Sequence, residues 1–518
     1  MPNSSKLKFN EIDQSFFVAG AVGGIAAISL TTKRGPYGHD GSVINSWPEF
    51  LRKYGGEDQA HPGVTLVKRA FSYGCSMRVN KVGNYTAIDD ASTLTAVAAT
   101  FPSTLGNGAT DDLFEITLKH RGLDGNNVVV TIDPASNGDE NAFNLDVLHL
   151  EESSLNESYT NLKIIGTPTI VESNYLDKLL SSKLVNFAYL NLSGLSGQQV
   201  PDQGTFSATG GINGATPTAA DHAGSEVSST GPYAFDQYTD FEVIAPFGNY
   251  ALIVLQEYSN YANDRKDCVA FLHLPTSNST VTSVVAFKDT LLIDSRFTAF
   301  FTGGLIINNP FSLVPTPYNI PEIGDIIGLA MLSSSKNGPW WSFAGTQRGL
   351  ISGAFDVINN FTSGNHNKLD QLAQRQINTV VNEDGRIYIK GNFSAQLDTS
   401  RKSFLNVVRL VVYLKKSLRP TLAKYLEEPN DFALFRQIYN EVLPFLTSLT
   451  GIEKRALVEF DWKGDQYANT DAELDVNTRE DLSQGKYRVQ LFLKETVSLQ
   501  EFTIDIISAP SGVSFDNN

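Results

Sequence analysis

The sequence predicts a multidomain α/β protein that carries an inserted antiparallel β-rich unit. Three observations predict it. The chain has 518 residues. Single cores stop growing near roughly 250–300 residues, so about two to four domains are expected. Strand-like and helix-like patterns alternate near both ends, whereas residues 91–210 alternate polar and apolar positions with a period of two. Tight turns are frequent throughout, as expected of a chain with 41 glycines.

Taken in order, the first twenty or so residues read as an extended polar arm ending in FFVAG. GGIAAISLTTKRGPYG is a short apolar strand closed by Gly35, Pro36 and Gly38. SWPEFLRKYGG is a short helix, with Trp47, Phe50, Leu51 and Tyr54 at helical spacing and a Gly55–Gly56 stop. GVTLVKRAFSYGCSMRVNKV adds a helix ending near Gly74 and a strand through Met77, Val79 and Val82. Strand, helix, helix, strand opens an α/β layer.

DLFEITLKHRG, NNVVVTID and AFNLDVLHLEES then alternate with period two, and a Gly/Ser/Thr/Ala-rich loop closes this β unit. YALIVLQEYSNYANDRKDCVAFLHLP resumes with a helix and a continuous apolar strand, the pattern of a strand covered on both faces. DSRFTAFFTGGLIINNP, IGDIIGLAMLSSSKNGPWWSFAG, LDQLAQRQINTVV and GRIYIKGNFSA continue it. The last seventy residues are strand-like in RALVEFDWKGD, KYRVQLFLKET and LQEFTIDIIS.

A formal net charge of −16 opposes general nucleic-acid binding, because phosphates would repel the average surface. Cys75 and Cys268 are the only cysteines, so a disulfide framework is not expected and folding in a reducing compartment is. The amino terminus lacks the apolar region of a secretory signal. FFVAGAVGGIAAISLTT is too short and too rich in glycine and alanine for a membrane span, and reads as buried strand and turn.

Catalytic patterns are missing. The seven histidines show neither H-E-x-x-H nor Cys/His ligand spacing. There is no G-x-S-x-G elbow and no phosphate-binding G-x-x-x-x-G-K-[ST] loop. Glu427–Glu428 and Glu383–Asp384 read as solvated surface acids, and Cys268 as a small buried hydrophobe. No enzyme activity, cofactor or metal is expected.

One segment opposes the overall charge. RKSFLNVVRLVVYLKKSLRP, residues 401–420, carries six basic side chains and no acid. On a helical wheel of roughly 100° per residue, Phe404, Val407, Val411, Leu414 and Leu418 form one apolar stripe. Lys402, Arg409 and Lys416 recur every seventh position on the other side, among Leu405, Val408 and Val412. Two readings are open. The helix presents a mixed cationic ridge to a partner, or it is a core helix whose long side chains reach out to solvent.

The segment that follows, YLEEPNDFALF, resembles contractile tail sheath proteins, the family of contractile-tailed bacteriophages, R-type pyocins and related injection systems. GPWWSFAGTQRGLI, LDQLAQRQINTVV, DGRIYIKGNFS, FLNVVRLVVYLKKSL, LEEPNDFALF and VLPFLTSL keep the family's order over residues 338–449. AISLTTKRGPYG, SWPEFLRKYGG, KRAFSYGCSMRVNKV, NDRKDCVAFLHLP and IPEIGDIIGLA resemble its upstream elements. Departures are Lys390 in place of the usual Trp, a single Arg in NVVRL, and PEIGDIIGLA without the family's small Ser and Ala.

The resemblance implies a tail-sheath-like α/β core with an inserted antiparallel β domain and a C-terminal α+β domain completed by exchanged terminal strands. The expected division is an N-terminal arm at 1–22, a middle domain at 23–90 and 211–350, and an inserted outer domain at 91–210. A C-terminal sheath domain at 351–495 and a terminal strand and tail at 496–518 complete it. It implies a structural subunit forming a homo-oligomer, expected as hexameric rings stacked helically around an inner tail tube. That assembly contracts to drive the tube through a cell envelope. Baseplate and tail terminator proteins are the further expected partners, with no nucleic acid and no direct membrane insertion.

Phe16, Phe17, Val18, Phe502, Ile504 and Ile506 are the expected strand-exchange residues, although LQEFTIDIIS also reads as an ordinary strand within one subunit. Lys402, Arg409, Lys415 and Lys416 are the expected inner-tube contacts. The expected location is the virion tail, assembled in the host cytoplasm, or a bacterial injection system. Another ring-forming tail component, a tube initiator or terminator, is the alternative. A carbohydrate-binding β protein is a further one, opposed by the absence of Trp from residues 91–210.

Overall fold

The computed structural model describes residues 24–84, 97–103, 111–119, 122–165, 181–189, 198–211, 214–361, 366–398, 400–464, 476–477 and 479–499. At its centre is an eight-stranded sheet. In chain order the strands are β1 (Ile25–Leu30), β2 (Val43–Ile44), β3 (Ser76–Lys81), β4 (Val243–Pro246), β5 (Val269–His273), β6 (Thr298–Thr302), β7 (Ile377–Glu383) and β8 (Arg386–Lys390). In space they run β2-β3-β1-β4-β5-β6-β7-β8. Strands β3 to β7 of that row are parallel neighbours, and antiparallel β2 and β8 close its two edges.

Every position of β4, β5 and β6 is buried, because helices cover both faces of the sheet. Helices α1 (Trp47–Tyr54) and α2 (Gly63–Phe71) join β1 to β3, and α3 (Leu252–Arg265) joins β4 to β5. The first crossover moves one way along the sheet and the second the other. Right-handed connections therefore put α2 and α3 on opposite faces. Helix α1 has Pro48 and Glu49 in its first turn and Arg52 and Lys53 in its last, which suits the helix dipole. Gly55 ends it at φ 91°, a conformation that disfavours a side chain. Helix α4 (Ile323–Lys336) packs on α2, where Arg69 grips the fully buried Asp325 with two 2.6 Å hydrogen bonds.

The β-rich unit stands as separate small sheets. Val97–Ser103, Asp111–Leu118 and Val185–Tyr189 form one. Val128–Pro134, Phe143–His149, Glu157–Leu162 and Gly204–Ser207 form another. Phe143, Leu145 and Val147 alternate inward and meet Phe114, Ile116, Val130 and Ile132 in a core of their own. Asp124 connects the unit to the main body, 3.0 Å from Arg34 Nε and 3.3 Å from His149 Nε2.

The main sheet does not stop at residue 350. β7 pairs parallel with β6, β8 follows, and Leu405, Val408 and Val412 pack on the same core. The segment expected as one C-terminal domain from residue 351 is thus divided between the main sheet and a second cluster around Leu446. Parallel pairing over such a sequence distance has no local signal.

Lys81, at the end of β3, is 2 % exposed. Burial pushes its pKa down to about 8. Below that pH the ammonium is charged in both states but desolvated only when folded. Above the ordinary lysine range it is neutral in both. Stability should therefore rise as pH climbs from about 8 to about 10.5, by at most about 3 kcal/mol. The variant Lys81→Met should be more stable than the parent at pH 7, and the difference should shrink by pH 10.5. Paired urea melts at the two pH values measure it, and a parent more stable at pH 7 would contradict it.

Candidate assembly interface

The basic segment folds as α5 (Leu405–Ala423), preceded by a short 3-10 turn, Arg401–Ser403, that Ser400 caps. Two sides of α5 are buried. Leu405, Val408 and Val412 enter the core of the main sheet. Leu410 and Leu414 meet Ile438, Val442, Phe445 and Leu446 from or beside α6 (Phe432–Leu449), together with Trp340. A helix clamped between two cores explains why its sequence is aliphatic nearly all round.

Two members of the row at every seventh position, Arg409 and Lys416, turn toward the chain's own core. Arg409 is fully buried; its Nε donates to Glu242 Oε1 at 2.7 Å, and its Nη2 donates to Ala330 O at 3.0 Å and to Ser334 Oγ. Ser334 Oγ also donates to Glu242 Oε2 at 2.7 Å, which ties α4, α5 and the residue preceding β4 into one network. Lys416 donates to Phe241 O and lies 5.2 Å from the Phe241 ring. Burial, the largest influence on it, lowers its pKa. The expectation that Arg409 and Lys416 face an inner tube is therefore corrected. Their partner is the acidic and carbonyl edge of the chain's own sheet, because a guanidinium surrounded by aliphatic residues needs an internal carboxylate.

Lys402 and Lys415 are exposed, as are Arg401 and Arg419. Lys415 Nζ donates to Lys266 O at 3.0 Å, and Arg401 Nη1 donates to Glu495 O at 2.9 Å. The cations left facing solvent are thus at the two ends of the helical segment. Glu242 and Ser334 were not legible as partners of α5, since they lie 167 and 75 residues away in sequence.

Beside α6 lies a two-stranded antiparallel hairpin, β9 (Leu457–Lys463) and β10 (Gln490–Glu495). Phe460, Trp462, Leu491 and Leu493 turn one face toward the α5–α6 cluster. On the other face Phe492 is 52 % exposed, and Val458 is 60 % exposed beside the register shift at Leu457/Glu459. No third strand flanks the pair among the described residues. A lone two-stranded ribbon is marginal in water, and its outer edges present unpaired backbone groups. Thr496 continues beyond it, donating to Ala456 O at 3.2 Å, and Ser498 accepts from Asn392 at 2.9 Å. The expected exchange residues Phe16, Phe17, Val18, Phe502, Ile504 and Ile506 lie outside the described residues.

The two cysteines are buried, and burial pushes both thiols up to about 12. Among the described residues no cluster of His, Cys, Asp and Glu could hold a metal ion, and no helix is long and apolar enough to cross a membrane.

The sheet with helices on both faces, the β-rich unit and the C-terminal helices with their two-stranded ribbon form a mixed α/β fold that is similar to those of solved tail sheath proteins. The particular relatives are these. The sheath tail protein from Listeria innocua superposes with a TM-score of 0.57 at 13 % identity, covering 92 % of this chain and 96 % of that one. The contracted helical sheath of the anti-feeding prophage gives 0.55 at 11 % identity, covering 98 % and 100 %. In sequence, the tail sheath protein of Vibrio phage KVP40 is 22 % identical over 283 residues. That match takes in 50 % of this chain and spans 40 % of the phage protein's length. No protein-family model matches the chain. The resemblance to contractile tail sheath proteins thus holds in sequence and in fold.

Proposed function

We propose that this chain is a structural tail sheath subunit. It polymerises as stacked rings around an inner tail tube and contracts to drive the tube through a target envelope, without enzymatic activity. The observation that carries this reading is the likeness of fold over 98 % of the chain to a sheath solved in its contracted state. The rings are hexameric, and baseplate and terminator proteins cap the cylinder, in a phage tail or a cell-encoded injection system. Neighbouring subunits stay linked because terminal arms add strands to the open edges of the β9–β10 hairpin. Main-chain hydrogen bonds hold such a link and side-chain registry selects it.

Electron microscopy of the purified protein tests this: stacked rings or long hollow tubes are expected, and monomers under all conditions would overturn it. Lys402 and Lys415 are the remaining tube contacts on this reading, since exposed charges hold register yet release when a lattice rearranges. The variant Lys402→Glu/Lys415→Glu should reduce co-sedimentation with tube protein severalfold and lower the melting temperature by no more than a few degrees, through the lost Lys415–Lys266 O bond. Undiminished co-sedimentation would remove both residues from the interface.

A further inference from the structure

The main sheet changes winding direction at β1. The chain leaves β1 for β3 on one side and later places β4 on its other side. In open parallel sheets the crevice beyond the carboxyl ends of the strands at such a point is the usual ligand position, since the loops diverge there and leave room.

This crevice is present as a cavity of about 410 Å³. Thr31 and Thr32 line it from the end of β1, Lys81 from the end of β3, and Asn249 from the segment after β4. Pro62, which opens α2, and His222 close it. Among the described residues no Asp or Glu lines it, although the chain carries 56 of them.

Two side chains here are buried without the partner their chemistry asks for. Lys81 makes one long hydrogen bond, 3.4 Å to Gly35 O, and its Nζ lies 4.3 Å from the Tyr37 ring centroid; the Asp124 carboxylate acts on its charge only from beyond ion-pair distance, and burial outweighs it. His222 is 5 % exposed, and its Nδ1 has no hydrogen-bond partner. Burial holds its pKa down to about 4, so the ring is neutral at pH 7 and able to donate one N–H. A buried cation and a buried donor left open toward one cavity are costly to the free protein.

The backbone is arranged to match. α2 has no side-chain cap at Pro62 and no acid in its first turn, and the carboxylate just ahead of it, Asp58, is taken up by His61, from whose backbone N–H it accepts a hydrogen bond at 2.7 Å. A Cβ at Gly63 would lie 3.1 Å from Phe247 O and 3.2 Å from Leu30 Cβ, so glycine is what lets α2 start this close to the strand ends. Gly248, at φ 90°, keeps the facing turn bare. His61, also in the lining, is already held by Asp58 at 2.8 Å and is not one of the open groups.

We propose that this crevice binds a phosphate-type oxyanion, with Lys81 as counter-ion, His222 as donor and the start of α2 supplying the favourable dipole. The site is independent of the assembly reading, since every element of it belongs to one subunit. Isothermal titration of the full chain at fixed ionic strength tests it with inorganic phosphate and, separately, with AMP, against chloride.

Saturable binding of inorganic phosphate, weakened at least tenfold by Lys81→Met and also by His222→Phe, supports the site with free phosphate as ligand. Saturable binding of AMP alone, equally sensitive to Lys81→Met, supports it with the phosphate carried on a nucleotide. Binding of neither anion, or binding that Lys81→Met leaves unchanged, overturns it. Because Lys81→Met is expected to fold at least as stably as the parent, its melt separates lost binding from lost structure.

Discussion

Replacing Glu242 by Leu should destabilise the folded chain by about 3–5 kcal/mol, one of the largest losses available from a single substitution. Arg409 is 0 % exposed and Glu242 6 %, so the change strands a guanidinium in a dry interior with only Ala330 O and Ser334 Oγ to meet it. A buried pair need not be more stabilising than well-packed apolar residues, but breaking one half of it is costly. The double variant Glu242→Leu/Arg409→Met should accordingly recover most of the loss. Urea unfolding of the parent, the single and the double variant measures both effects. A single substitution costing less than 1 kcal/mol, or a double variant no better than it, would show that this network does not hold α5 to the sheet.

Deleting residues 500–518 should abolish tube formation while leaving the subunit folded. The cut falls after Thr496 and Ser498, so their contacts to Ala456 and Asn392 survive and the β9–β10 hairpin keeps its inner packing. What it removes is the sequence QEFTIDIIS, with Phe502, Ile504 and Ile506, and the tail that follows it. Thermal melts of parent and truncated protein should coincide to within a few degrees. Micrographs of the truncated protein should show no tubes, and normal tubes would rule out strand exchange by this arm.

Much of the fold was legible in the sequence because local physics writes it there. The period-two alternation of AFNLDVLHL appears as Phe143, Leu145 and Val147 pointing inward from one strand. The apolar run after Asp267 appears as β5, buried at all five positions. Helical spacing and the Gly55 stop gave α1, and the ordered set of family motifs identified the sheath-like fold. Each of these signals is carried by neighbours in the chain, or by a pattern of motifs along it.

The assembly surface was legible only in part. A wheel shows which residues share a side of one continuous helix, and it puts Lys402, Arg409 and Lys416 together, although Lys402 falls in the 3-10 turn ahead of α5. It does not show what lies against that side. An arginine on a solvent ridge and an arginine on a buried ion pair have the same spacing, and a carboxylate 167 residues away separates them. Lys81 and His222 were likewise ordinary surface-type residues in the sequence and became buried, open polar groups only when three strand ends converged.

By itself, then, the sequence determined the mixed α/β class, the period-two strands of the β-rich unit, elements such as α1 and β5, and the resemblance to tail sheath proteins. The tertiary structure alone decided which cations are free, how far the main sheet extends, and where a cavity forms. Periodicity and motif order are properties of adjacent residues, whereas burial and ion pairing depend on segments that only the folded chain brings together.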